Sequence, residues 1–92
     1  MDIRKYNLNK EDLEFIIDLL ISFSRGTEIE FECLGKTYFV KTVKDGISVV
    51  EIKNSNATAQ IFSLPEFFFE QFLIDGKPFI ERLNDITSYG VL

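Results

Sequence analysis

Thr27-Glu28-Ile29-Glu30-Phe31-Glu32-Cys33-Leu34 alternates strictly between carboxylates and apolar side chains. A period of two is that of a half-buried β-strand, with Ile29, Phe31 and Cys33 turned inward and Glu28, Glu30 and Glu32 turned to solvent. Gly35-Lys36 follows and fits a two-residue hairpin turn with glycine first. Such a turn predicts Cys33 opposite Tyr38, Phe31 opposite Val40 and Ile29 opposite Thr42, so the apolar faces agree. On the reverse face it sets Glu30 opposite Lys41, a favourable cross-strand pair.

Downstream, Lys44-Asp45-Gly46 marks the next turn. A two-residue Asp45-Gly46 turn would bring Glu51 onto the buried face against Val40. A three-residue loop with Gly46 in the left-handed bulge position instead predicts Val40 against Val50 and Tyr38 against Ile52. The second register keeps Glu51 outside and leaves Phe39, Val43, Ile47 and Val49 on the outer face. Asn54-Ser55-Asn56 is a turn by composition, and Ala57 to Phe62 is a weakly patterned fourth strand.

Upstream, Asn9-Lys10-Glu11-Asp12 opens a helix, with Asn9 as cap and Asp12 reaching back to it, and Arg25-Gly26 closes it. Glu11, Glu14, Asp18, Ser22 and Arg25 form a narrow polar stripe on an otherwise apolar cylinder, which predicts that more than one element packs on it. Ser63-Leu64-Pro65-Glu66 has the form of a second capping box with proline in the first turn. Phe67, Phe68, Phe69, Phe72, Leu73 and Ile74 follow, and Asp75-Gly76 breaks the run. Three consecutive residues at 100° each cannot share one face, so Phe68, Phe69, Phe72 and Leu73 are assigned to the core and Phe67 and Ile74 elsewhere. Lys77-Pro78 is read as the start of a short last helix, and Thr87 to Leu92 as a loose or docked tail. The expected fold is α+β in the order α-β-β-β-β-α-α, an antiparallel three- or four-stranded meander packed against helices. Residues 1–92 are expected to form one domain.

The chain has 92 residues, a 46% hydrophobic content, ten Phe and a net charge of -5. That combination suits a packed core and argues against disorder. The charge is uneven, with an acidic start and end around a mildly basic stretch from 33 to 53. No Lys/Arg cluster supplies the positive footprint that nucleic acid or an anionic membrane requires. No apolar run approaches the ~20 residues of a membrane span, and Met1-Asp2-Ile3-Arg4-Lys5 does not lead into one, so the expected location is cytoplasmic.

Histidine is absent and Cys33 is the one cysteine. Ser-His and Cys-His nucleophiles, intramolecular disulfides and Cys- or His-based metal sites are thereby excluded. Cys33, on an apolar strand face, is read as a core residue. Neither Gly35-Lys36 nor Gly76-Lys77 stands in a phosphate-loop frame. Carboxylate pairs could still act as acid and base, but such pairs need an enclosed site, and most of the acidic residues here fall on predicted wet faces. The expectation is a chain that is not an enzyme and has no cofactor or metal.

Binding sites are expected on two surfaces. The ridge Glu28, Glu30, Glu32 has same-face spacings of about 7 Å, too wide to close around one small ion but suited to a partner's basic surface. With the helix line Glu11, Glu14, Asp18 on a neighbouring surface it would form one negative strip, able to occupy the basic groove of a nucleic-acid-binding enzyme. In size and charge style the chain is similar to small acidic α+β proteins of phages and mobile elements, including inhibitors of CRISPR nucleases that imitate DNA. That resemblance implies an inhibitor or regulator acting on a protein rather than on nucleic acid directly. The alternative is a homodimer, larger homo-oligomer or accessory subunit held by surplus aromatics, for which Phe39 and Phe67 are the candidate contacts.

Overall fold

The computed structural model describes residues 2–92; Met1, part of the N-terminal stretch considered above, lies outside them. The fold is α+β. Ile3–Lys5 makes one turn of 3-10 helix, followed by helix α1 (Lys10–Arg25) and strands β1 (Ile29–Cys33), β2 (Lys36–Val43), β3 (Gly46–Lys53) and β4 (Asn56–Phe62). Helix α2 (Pro65–Gln71) leads into a two-stranded hairpin, β5 (Leu73–Ile74) and β6 (Lys77–Pro78), then two 3-10 turns, Phe79–Glu81 and Leu83–Asp85, and strand β7 (Ile86–Val91). The main sheet is antiparallel throughout, in the order β4-β3-β2-β1-β7.

Helix α1 forms as its sequence predicts. The Asn9 side chain accepts from the Asp12 N–H at 2.8 Å, the Asp12 carboxylate accepts from the Asn9 N–H at 3.3 Å, and Gly26 ends the helix in the left-handed conformation. The capping box also accounts for a buried carboxylate at Asp12. In α2 the proline stands in the first turn as expected, but the capping box does not form. Leu64 occupies the cap position with no side-chain hydrogen bond.

The first hairpin keeps its predicted faces but slips by two residues. Its turn is Leu34-Gly35, so Phe31 faces Tyr38 and Ile29 faces Val40, and Glu30 stands opposite Phe39 rather than Lys41. Leu34 and Gly35 both have positive φ, 51° and 79°, as a type I′ turn demands. The second hairpin departs further. Its turn is Lys44-Asp45, which sets Val40 against Val49 and Tyr38 against Glu51. Ile47 and Val49 are therefore in the core, and Val50 and Ile52 take the outer face with Phe39 and Val43. Glu51 is tolerated on the inner face because the Tyr38 hydroxyl donates to it at 3.0 Å and Lys36 lies 3.6 Å away. Gly46 has φ 138°, and a Cβ there would collide with the Phe62 carbonyl, so only glycine lets β4 close on this corner.

Three further expectations are corrected. Leu73 is 56% exposed and Ile74 only 1%, the reverse of the helical assignment. The helix ends at Gln71, and a period of two takes over. Lys77-Pro78 begins no helix, and the supposed tail is β7, paired to β1 with Phe31 opposite Tyr89 and Glu30 opposite Gly90.

Both helices pack on one face of the sheet. Phe15, Phe31, Tyr38, Phe68, Phe69, Phe72 and Phe79 are buried together, with Phe31 and Tyr38 stacked at 5.0 Å and Phe68 and Phe79 tilted against each other at 4.6 Å between centroids. Each buried ring contributes about 2 to 3 kcal/mol by leaving water, so this cluster is the main favourable contribution to folding.

A candidate protein-binding surface at the β7 edge

β7 brings the two acidic lines together. On the outer face of the sheet its neighbour β1 carries Glu30, opposite Gly90, and Glu32, opposite Ser88, with Glu28 at the entrance to the strand. The Glu28 carbonyl accepts from the Leu92 N–H at 2.7 Å, which extends the pairing one step past β7. On the inner face, helix α1 lies beside β7 with Glu11, Glu14 and Asp18 on the flank turned toward it. The spacing of three and four residues puts these side chains on one line. Asp18 accepts a hydrogen bond from the Tyr89 hydroxyl at 2.7 Å, and Glu11 and Tyr89 line a small groove of about 100 Å³ with Phe15, Leu83 and Ile86. The ring of Phe15 packs on Tyr89 at 4.4 Å and fixes the helix over the strand.

The carboxylates around this edge are not ion-paired. Among the described residues, Glu11, Glu14, Glu28, Glu30 and Glu32 form no ion pair and no side-chain hydrogen bond. Of the ten cationic side chains, three are paired away from this edge: Arg4 with Asp2, Lys36 with Asp75 and Glu51, Arg82 with Asp85. The hydrogen bond to Asp18 pushes the Tyr89 phenol up to about 12, helped by its partial burial and the negative charges of Asp18 and Glu14. The six carboxylates are spread along the edge, and no group of three or more among the described residues is placed to hold a metal ion.

The aromatic candidates are not brought together. Phe39 lies half-buried on the outer face between Glu30 and Val50, whereas Phe67 is 37% exposed on α2, on the helical side of the molecule. Sequence reasoning missed a third surface. Ile17, Leu20 and Ile21 on the back of α1 are 54%, 44% and 43% exposed, beside a groove of about 280 Å³ lined by Leu20, Pro65, Glu66 and Phe69. The signal was in the sequence, since α1 is apolar nearly all round; the sheet, α2 and the Phe79 turn pack on it as expected but leave these three side chains exposed. Ser22, counted in the polar stripe, is buried instead.

A second polar cluster sits at the other end of the hairpins. Lys36 donates to Asp75 at 2.7 Å, and Arg82 donates to the carbonyls of Ile74 and Asp75 at 2.8 and 3.0 Å and to Asp85 at 3.1 Å. These bonds raise the Lys36 ammonium and hold the Asp75 carboxyl below its usual range. Burial and the Glu51 carboxylate push the Tyr38 phenol far up. Lys36 and Arg82 tie the β5-β6 hairpin to β2 and to the turn that follows it, and the Cys33 thiol beneath, raised by burial, is fully enclosed.

An acidic α+β domain with charge massed on one sheet edge is thus the class that fold and surface define. No protein-family model matches the chain, and no curated protein or solved structure matches it either. Among the described residues no helix is long and apolar enough to cross a membrane.

Proposed function

We propose that this chain is a non-catalytic protein-binding module that docks its acidic β7 edge on a basic, nucleic-acid-binding surface of a larger protein, as an inhibitor or regulator. One observation carries the proposal: carboxylates flank a single edge strand on both faces, and among the described residues none of the six forms an ion pair. Leaving like charges massed in this way costs stability, and a partner's lysines and arginines relieve that cost. The edge strand itself is narrow and uncharged in Ile86–Val91, so both carboxylate lines can reach into one groove.

Capture from host lysate at low and high salt, with wild type and with Glu28, Glu30 and Glu32 all changed to Lys, tests it. Retained proteins should carry a basic nucleic-acid-binding surface, elute as salt rises, be competed by DNA and be lost with the triple variant. Retention indifferent to both salt and charge reversal would overturn the proposal.

A second reading, an accessory subunit held through apolar surface, is favoured by exposed Ile17, Leu20, Ile21 and Phe67. Replacing Ile17 and Ile21 with Ser would abolish a complex of that kind and leave the acidic one intact.

A further inference from the structure

The opposite edge of the sheet, β4, has a different chemistry. Asn56–Phe62 contains no charged residue and no proline, and all of it but Phe62 is exposed. Natural sheets protect an edge with lysines, prolines, bulges, short strands or a covering loop, and among the described residues β4 has none of these.

Its turn identifies which backbone groups are open. Asn54 and Ser55 both have positive φ, 51° and 69°, so the hairpin has a two-residue turn and its flanking pair, Lys53 and Asn56, is hydrogen bonded. Alternation then gives Thr58 to Glu51, Gln60 to Val49 and Phe62 to Ile47 as the inward-bonding pairs. The N–H and C=O groups of Ala57, Ala59 and Ile61 point away from the sheet, and no backbone bond outside the ladder engages them among the described residues.

We infer that β4 pairs antiparallel with β4 of a second copy, about a two-fold axis at Ala59, to join two five-stranded sheets into one of ten. The pairing is self-complementary on both faces. On the outer face Ala59 meets Ala59 and Ala57 meets Ile61, which merges the apolar patches of Val50, Ile52 and Ile61 from each copy. On the inner face Thr58 meets Gln60, two polar side chains able to hydrogen bond. Charge selects this edge over the other. A chain of net charge -5 repels its own copy wherever carboxylates meet, as they would at β7, whereas β4 presents none. The nearest inner-face carboxylate, Glu51, is already held by Tyr38 and Lys36.

Seven residues at about 3.4 Å make a seam of roughly 24 Å, which over a sheet about 10 Å thick buries roughly 500 Å² in total. A lasting dimer needs about 1,200 Å² or more, so this dimer exchanges readily and depends on concentration.

Sedimentation velocity from about 10 μM to about 1 mM tests it. Wild type should shift toward double mass across that range. Ala59→Lys, which sets two like charges face to face on an exposed strand, should remain monomeric with an unchanged melting temperature. Single cysteines at 58, 59 and 60 give a second readout that survives if the lysine variant fails to fold. Only residue 59 meets itself, at the ~5.5 Å Cα separation of a hydrogen-bonded pair, which a disulfide spans. Ala59→Cys should therefore cross-link under oxidised glutathione at least about ten times faster than Thr58→Cys or Gln60→Cys. Cys33, the native thiol, is fully buried and stays silent. A chain monomeric throughout, a dimer that Ala59→Lys leaves intact, or equal cross-linking at the three positions would each overturn the inference. The last two outcomes would point to the apolar back of α1, and monomeric behaviour to an edge reserved for another protein's strand.

Discussion

The two edges of the main sheet face the same solvent and solve the same problem differently. At β7 the ladder is interrupted by a register shift between Glu32 and Cys33, carboxylates line both faces, and an aromatic contact from α1 holds the strand down. At β4 the ladder to β3 runs unbroken for seven pairs, and nothing charged or bulged interrupts it. The difference teaches that charge in this chain is placed rather than spread. Self-pairing is discouraged at one edge, while the backbone is left open at the other.

Four substitutions break or sharpen that contrast. Phe15→Ala removes a ring buried against Phe31, Phe79 and Tyr89, and should cost roughly 3 to 5 kcal/mol by urea denaturation. Hydrogen exchange should quicken more in β7 than in β4. Gly46→Ala attacks the opposite edge. Strain at φ 138° together with the collision at the Phe62 carbonyl should cost roughly 2 to 4 kcal/mol and loosen β4 first. Leu34→Asn leaves both edges alone. It relieves a leucine held in the left-handed region and should add up to about 1 kcal/mol of stability, read as a higher denaturation midpoint.

Tyr89→Phe is the mildest and tests the acidic edge directly. The hydrogen bond it deletes is exposed, so the loss should be about 0.5 kcal/mol or less. Its pH dependence has a definite sign. The folded-state phenol ionises higher than the unfolded one, so the contribution is complete below about pH 10 and lost as pH rises through about 12. Wild type and variant should therefore converge in stability at the alkaline end, and ultraviolet titration should show one late phenol missing from the variant.

What was legible in the sequence was local. Asn9, Asp12 and Gly26 bound α1 through contacts a few residues apart, and the alternation from Glu28 to Cys33 fixes both faces of β1 without reference to its partners. Turn positions were less legible. A type I′ turn at Leu34-Gly35 requires a leucine at positive φ, which local preference disfavours, so the glycine one step later looked like the better start. In β3 the parity of one turn decides which face every side chain takes. Glu51 argued for the wrong parity because its stabilising partner, the Tyr38 hydroxyl, is a tertiary contact. Ile86–Val91 was illegible for a similar reason. Its alternation is weak, and the strand that organises it lies more than fifty residues earlier. The two carboxylate lines could be read from their spacing alone, but their meeting around one strand depends on β7.

That long-range pairing also orders the assembly of the molecule. The meander from β1 to β4 is joined by three two-residue turns, so its ladders close small loops at little entropic cost. β7 must wait for the intervening chain to be laid down and packed, because only then do Phe15 and the open side of β1 form its slot. Loop-closure entropy therefore favours forming the meander before β7 is added to it. In a partly folded chain β1 is itself a bare edge carrying Glu30 and Glu32, with Glu28 just before it, and charged side chains on an open edge oppose pairing between unfinished molecules before β7 arrives.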